Sequence, residues 1–324
     1  MIKLESLNNI WENLQYNGTS EFEFRRIDNV TIPEINIGLN SKLNRCMLLE
    51  LPFEHNVDFQ TIAKKNLTLS FFKDTGYIVL ELTDSDYFDL FNDLIISIYS
   101  YIYELSDVDE YSKLFIQMFY KWSEFFDNKV SDTLSLDSVK GIFGELFVLK
   151  NLIEESDSFK LNDILNSWRG LYDEAHDFVF EDKNVEVKTK DISRLSIKIS
   201  SEYQLEEELD KGLELLVLSV DIDYIKGDSL RLMVDKIKDL IVNKMGDFSI
   251  LLSALAQKNI SMSNIYQYDN YRFLVHEEVI YDCRKEGFPR LTKINTPNAI
   301  AHIRYTLQLS YLAKYCISTK KFDD

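Results

Sequence analysis

Residues 213–222, "LELLVLSVDI", leave the chain little freedom in how it folds. A strand shows both faces, and here both are largely apolar. The run therefore needs cover on each side and a place inside a sheet. Amphipathic segments able to give that cover flank it. One is "LDSVKGIFGELFVLKNLIEE" at 136–155, with Ile142, Phe143, Leu146, Leu149 and Ile153 at helical spacing. Another is "DSLRLMVDKIKDLIVNKM" at 228–245. Between them lie two short β-runs at 177–190, a third strand at "LSIKIS" (195–200) and a polar helix from "SEYQLEEEL" (201–209). The order helix, three strands, helix, strand predicts a layered α/β core in the second half.

The two β-runs read "HDFVFEDKNVEVKTK" over 176–190, a hairpin around the polar turn "EDKN". Side chains alternate along a strand, so Glu186, Lys188 and Lys190 share one face while Val185 and Val187 point inward on the other. Asp177 stands at the root of the first strand. Two accounts fit this charged face: it meets water or pairs Glu186 and Lys188 with neighbours, or it serves a function. In the preceding helix, Gly141 and Gly144 cost about 1 kcal/mol each against Ala, and their use would be close approach to a sheet. Glu145 lies one turn beyond Gly141. Its carboxylate points either into whatever the helix covers or into solvent.

No apolar run approaches the roughly 20 residues that cross a bilayer, and "MIKLESLNNIWENL" lacks the apolar core of a signal peptide. Cys46, Cys283 and Cys316 are scattered and odd in number, which suits reduced thiols in cytoplasm. None has zinc-site spacing, and "HEEV" from His276 lacks the second His of a zinc-protease helix. The net charge of −18 argues against broad phosphate binding, which relies on Lys and Arg. Its distribution is uneven: residues 1–130 hold 21 acids and 11 bases, whereas 281–321 hold 2 acids and 8 bases.

Residues 20–83 read as short strands, "EFEFRRI", "EINIGL", "CMLLELP", "LTLSFF" and "YIVLEL", separated by polar turns. "DSDYFDLFNDLIISIYSYIYEL" then predicts a helix in which Asp84 and Asp86 serve as caps rather than as a metal pair. A further helix follows Ser106. Its stripe of Leu114, Phe115, Met118, Phe119, Trp122, Phe125 and Phe126 is core packing. The expected organisation is α+β, with a β-rich domain over 1–105 and a second domain over 106–324 that includes the connecting helix and a basic C-terminal extension.

Several stretches of the second half together resemble the PD-(D/E)XK nuclease superfamily, whose core is αβββαβ. More narrowly, they resemble a bacterial family grouped with it that tends to occur beside restriction and phage-defence genes. The stretches are "GIFGELFVL" (141–149), "WRG" (168–170), "HDFVF" (176–180), "VEVKT" (185–189), "SSEYQL" (200–205), "GFPRL" (287–291) and "IRYTLQLS" (303–310). The resemblance implies a restriction-endonuclease-like core with C-terminal additions. It also implies metal-binding acids at Asp177 and Glu186 and a catalytic lysine at Lys188. Glu145 matches an acid that some branches add from the first helix, and Gln204 matches a polar position on the later helix. His176 stands where the motif name has Pro.

Mg²⁺ prefers a few carboxylates and keeps several waters, so Asp177, Glu186 and Glu145, with the Val187 carbonyl, suit it, and Mn²⁺ could substitute. Lys188, projecting from an open face, could hold a water or balance developing charge. For DNA, the richest supply of cations is Arg284, Lys285, Arg290, Lys293 and Arg304, which could equally neutralise the protein's own acids. The implied function is a Mg²⁺-dependent DNA endonuclease in a restriction-modification or phage-defence system. It would work with further subunits, a methyltransferase or an ATPase, and as a homodimer where two strands are cut. The alternative is a catalytically silent DNA-binding or assembly subunit that keeps the fold.

Overall fold

A computed structural model describes residues 2–322 apart from 19, 53, 54, 56, 58, 60, 127–133 and 173. The chain is a mixed α+β protein of two compact units, Met1–Val130 and Ser131–Asp324. Among the described residues, no helix is long and apolar enough to cross a membrane.

The first unit opens with α1 (Leu4–Asn13). An antiparallel sheet follows, made of β1 (Phe22–Arg26), β2 (Glu34–Asn40), β3 (Arg45–Glu50), β4 (Ile62–Ala63), β5 (Leu67–Phe72) and β6 (Tyr77–Leu82), in the order β1-β2-β3-β6-β5-β4. All five sequence-read strands are present. Asp84 acts as a cap: its side chain accepts the Asp86 N–H at 3.1 Å, just ahead of α2 (Phe88–Ile102). Asp107 does the same for α3 (Val108–Ser123), accepting the Glu110 N–H at 2.9 Å.

The boundary between units falls later than 105, and α3 belongs to the first unit. The reason is the aromatic stripe. Phe115, Phe119, Trp122 and Phe126 are fully buried, the Tyr87 and Phe126 rings meet at 5.5 Å, and the Asn66 amide donates to the Phe126 carbonyl at 2.6 Å. Packed on α2 and tied through Phe126 to Asn66 and Tyr87, the helix belongs with the first unit.

The second unit begins with α4 (Leu136–Glu155), capped by Ser135, and α5 (Leu161–Ser167). The hairpin forms as β7 (Phe178–Val179) and β8 (Lys183–Asp191), followed by β9 (Ser196–Ile199) and the long β10 (Gly212–Ile222). Next come β11 (Asp228–Ser229), α6 (Leu230–Asn243), α7 (Phe248–Gln257), β12 (Arg272–Asp282), β13 (Tyr305–Gln308) and β14 (Cys316–Lys321). The main sheet runs β11-β12-β10-β8-β7, with β14 also on β12. Strand β10 is interior, parallel to β8 and antiparallel to β12. Leu215, Leu216, Val217, Leu218 and Val220 are all buried, as the apolar run requires.

Register fixes what each face meets. Leu215 lies beside Glu186 and Val217 beside Lys188, so this face carries the charged pair next to an apolar cluster of Leu213, Leu215, Val217, Ile197, Ile199 and Leu307. The opposite face, with Thr189 and Leu218, receives α4. A Cβ on Gly144 would stand 1.8 Å from Thr189 Oγ1 and 3.3 Å from Leu218 Cδ1, so only glycine permits this approach. Gly141 meets nothing within 4 Å, and the close-approach expectation fails there.

Two elements differ from the expected αβββαβ order. Strand β9 pairs with β13 in a separate two-stranded sheet rather than extending the main one. The segment after β9 is a turn at 202–205, not a helix. Two side chains of this turn bond to backbone outside it. Gln204 Oε1 accepts the Ser200 N–H at 2.8 Å, and Glu202 accepts the Ile303 N–H at 3.0 Å. Asp210, just past this stretch, has φ 61°, a left-handed conformation.

Candidate active site

Strand β7 pairs with β8 at only two positions, Phe178 with Val185 and Val179 with Asn184. Where that ladder stops, the Asp177 side chain continues it: Oδ2 accepts the Val187 N–H at 2.7 Å. The backbone of Asp177 is pinned from the other side, since its carbonyl accepts the N–H groups of Arg169 (2.7 Å) and Gly170 (3.1 Å). With Oδ2 committed, Oδ1 is turned toward Gly170. A Cβ built there would lie 2.6 Å from it.

Glu145 reaches the same point from α4. A Gly170 Cβ would lie 2.4 Å from its Oε2, which accepts the Trp168 indole N–H at 2.7 Å. The two carboxylates, 32 positions apart in sequence, therefore converge on the space that Gly170 leaves empty. Glu186 completes the group. It is 1% exposed, its Oε1 accepts from Lys188 Nζ at 2.5 Å, and its Oε2 is buried with no hydrogen-bond partner.

Electrostatics follow from crowding acids in a dry place. Burial, reinforced by Asp177 and Glu186, holds the Glu145 carboxyl well above its usual range; the Trp168 hydrogen bond and Lys188 oppose this only in part. Burial likewise raises Asp177 against the opposing pull of Lys188 and the Val187 N–H. Glu186 is pushed up to about 8 by burial and then by Asp177, despite its bond to Lys188. For Lys188, burial alone would favour the neutral amine, but Glu186, Asp177 and Glu145 outweigh it and raise its pKa. The site holds one secure cation among three acids that resist ionising together.

The donor set suits Mg²⁺ in kind. All the candidates are hard carboxylate oxygens, and the orphaned Glu186 Oε2 is a buried acceptor in want of a partner. Among the described residues, no three of His, Cys, Asp and Glu form a ready-made cage. Mg²⁺ does not need one, because one or two carboxylates and several waters satisfy it. Asp177 and Glu145 supply the converging pair, with Glu186 behind them. In a strand, the N–H and C=O of one residue leave on the same edge, so the Val187 carbonyl faces the Asp177 side as well.

Gln204 closes a local turn onto Ser200 rather than projecting from a helix. Arg290 is only partly exposed and faces the protein, donating to Glu207 and to the Cys283 carbonyl at 3.1 Å. Arg284 donates to the Lys211 carbonyl at 2.8 Å. Lys285, Lys293 and Arg304 are exposed, with Lys293 5.9 Å over the Tyr203 ring. His176 is buried with its Nε2 unpartnered, and burial lowers its pKa.

The sequence pattern assigns no role to Trp168, Gly170 or Tyr305. The half-buried Tyr305 lies on β13, which pairs with β9, and its phenol oxygen accepts the Leu291 N–H at 3.2 Å. The only signal for the first two is the "WRG" stretch ahead of the Asp177 strand. A cavity of about 340 Å³ opens between α4 and the sheet, and none of the three carboxylates lines it. It is lined by Phe178 and Val185, neighbours of Asp177 and Glu186, and by Val148 and Leu152 of α4.

No curated protein matches the chain, and no solved structure matches it. A family model does, over residues 7–310 and so over most of both units. On that match, the chain belongs to the family described as "Putative PD-(D/E)XK family member, (DUF4420)".

Proposed function

We propose that this chain is a Mg²⁺-dependent DNA endonuclease built on a restriction-endonuclease-like core, acting in the cytoplasm within a restriction or phage-defence system. The observation that carries the reading is the convergence of Asp177 and Glu145 on the gap at Gly170, with the Lys188–Glu186 pair beside them. Membership of the family described as "Putative PD-(D/E)XK family member, (DUF4420)" supports it.

Asp177 and Glu145 would hold the cation, with Glu186 and the Val187 carbonyl as further oxygens. Once bound, a divalent cation neutralises phosphate charge and makes water a better nucleophile at neutral pH. The rest falls to the chain itself. Lys188 remains an ammonium because three acids surround it, so it can orient a water or share the charge that develops on the phosphate. Glu186, pushed up to about 8 by burial and Asp177, would give up its proton when a cation takes its oxygen. Recognition or translocation of DNA would come from partner subunits, a methyltransferase or an ATPase, and paired cuts from a homodimer.

One observation favours the silent-subunit reading: Lys188 and Glu186 already satisfy each other at 2.5 Å, as a structural pair would. Plasmid nicking decides between them. The purified chain should nick supercoiled DNA with Mg²⁺ or Mn²⁺ and stop with a chelator, and Asp177→Asn should be inactive. Metal-dependent nicking equal in parent and variant would overturn the site. Absence of nicking with neighbouring subunits added would favour the silent role.

A further inference from the structure

The tripeptide Trp168-Arg169-Gly170, which follows α5, touches both converging carboxylates and contains no acid of its own. Trp168 is 2% exposed and bridges to Phe178 in an isolated antiparallel pair, which sets the turn against the strand that Asp177 begins. The indole is a donor only, and its one N–H goes to Glu145 Oε2 at 2.7 Å. That bond fixes one oxygen of Glu145 and thereby aims the carboxylate. The next two residues give their backbone N–H groups to the Asp177 carbonyl, at 2.7 and 3.1 Å. One tripeptide thus grips the helix acid by a side chain and the strand acid by its backbone.

Gly170 adds a steric condition. Its Cβ would stand 2.4 Å from Glu145 Oε2, 2.6 Å from Asp177 Oδ1 and 3.0 Å from Glu145 Cδ. These are oxygens of pinned side chains, so they cannot yield without breaking the bonds to Trp168 or Val187. Gly170 does not have the left-handed backbone that would itself demand glycine. Space alone keeps the position empty.

We infer that Trp168 and Gly170 are positioning residues for divalent-cation binding: the indole orients Glu145, and the missing side chain at 170 lets Glu145 and Asp177 meet at one point. The inference rests on the nuclease reading above, and deepens it by assigning the element that assembles the site.

Manganese titration, followed by the paramagnetic signal of free Mn²⁺, tests the assignment without relying on turnover. Loss of an outer-shell support typically costs about 10–100-fold in metal affinity. Gly170→Ala is expected to weaken Mn²⁺ binding by about tenfold or more, and Trp168→Phe by a similar factor, with circular dichroism unchanged. Gly141→Ala, on the same helix as Glu145 and facing open space, is the control and should bind as the parent does. Glu145→Asp shortens the acid by one methylene, so adding it to Gly170→Ala should recover part of the lost affinity. A merely structural turn would not allow that rescue. If Gly170→Ala and Trp168→Phe bind Mn²⁺ like the parent while Asp177→Asn does not, the metal site stands and the positioning role is wrong. If the parent binds no Mn²⁺ and nicks no DNA, the nuclease reading fails and this inference falls with it. Should Gly170→Ala fail to fold, the Trp168→Phe titration decides alone.

Discussion

Lys188 Nζ stands 2.5 Å from Glu186 Oε1, two residues away on the same strand face, and Glu186 is 1% exposed. From alternation alone Lys188 belongs to an open face, and its removal would be harmless to the fold. The observed pair says otherwise. Lys188→Ala leaves a buried carboxyl without its cation, beside two other acids. Above pH ~8 the loss should be about 3 kcal/mol or more, as when one partner of a buried pair is removed. At lower pH it should shrink, because Glu186 can take up a proton. Urea melts at two pH values measure this, and Lys188→Ala combined with Glu186→Gln should regain much of the stability.

The same crowding makes stability depend on pH. Glu186 moves from an ordinary value of 4.5 to about 8 on folding, so between those values the folded chain holds a proton that the unfolded chain has released. Stability from this group is complete below pH ~4.5 and is lost as pH rises through ~8. Glu145 and Asp177 are displaced in the same direction and add to the slope. His176, lowered by burial, works oppositely and only toward the acid side. Without metal, the melting temperature should therefore fall from pH 5 to 8.5. Glu186→Gln should flatten the decline, and so should added Mn²⁺. A parent and variant with parallel pH profiles would remove Glu186 from the account.

Gly144 and Gly141 look alike in sequence and should behave oppositely. Alanine at 144 would drive a methyl into Thr189 Oγ1 and lever α4 off the sheet, at a cost of about 1–3 kcal/mol. Alanine at 141 meets nothing and gains helix propensity, so it should stabilise by about 0.5–1 kcal/mol. Thermal denaturation of the two single variants is sufficient. Equal effects would mean that α4 does not approach the sheet as described.

Local pattern is enough for elements whose reasons are local. The strands of the first unit, helix α4, the hairpin and the Asp84 cap all follow from alternation, helical spacing and turn residues. So does the interior place of β10, whose apolar run admits no exposed face. What escapes it depends on distant partners. The stretch 201–209 reads as a polar helix until Glu202 is seen to bond Ile303, 101 positions away. Helix α3 reads as a connector until it is seen packed on α2, with Phe126 just beyond it bonded to Asn66. In the site, Asp177, Glu186 and Lys188 are singled out by the family resemblance, which assigns nothing to Trp168 or Gly170. An indole acting on one carboxylate, and a missing methyl between two, carry no periodic signal.

That difference reshapes the expectation for DNA. By sequence Arg290 and Lys293 are equally good candidates for binding phosphate, but Arg290 spends its guanidinium on Glu207 and the Cys283 carbonyl, whereas Lys293 and Arg304 are exposed. Arg290→Ala should therefore lower the melting temperature, by about 1–3 kcal/mol of stability, through the buried partners it strands. Lys293→Ala with Arg304→Ala should leave the melt unchanged and act on DNA instead. Removing one cation that pairs with a phosphate flattens the slope of log affinity against log salt by about 0.9 for duplex DNA. If both lysine and arginine touch phosphate, the double variant should reduce that slope by about 1.8, with Mn²⁺ affinity untouched. A slope and affinity equal to the parent's would mean that the basic C-terminal extension balances the chain's own acids and that a partner subunit holds the DNA.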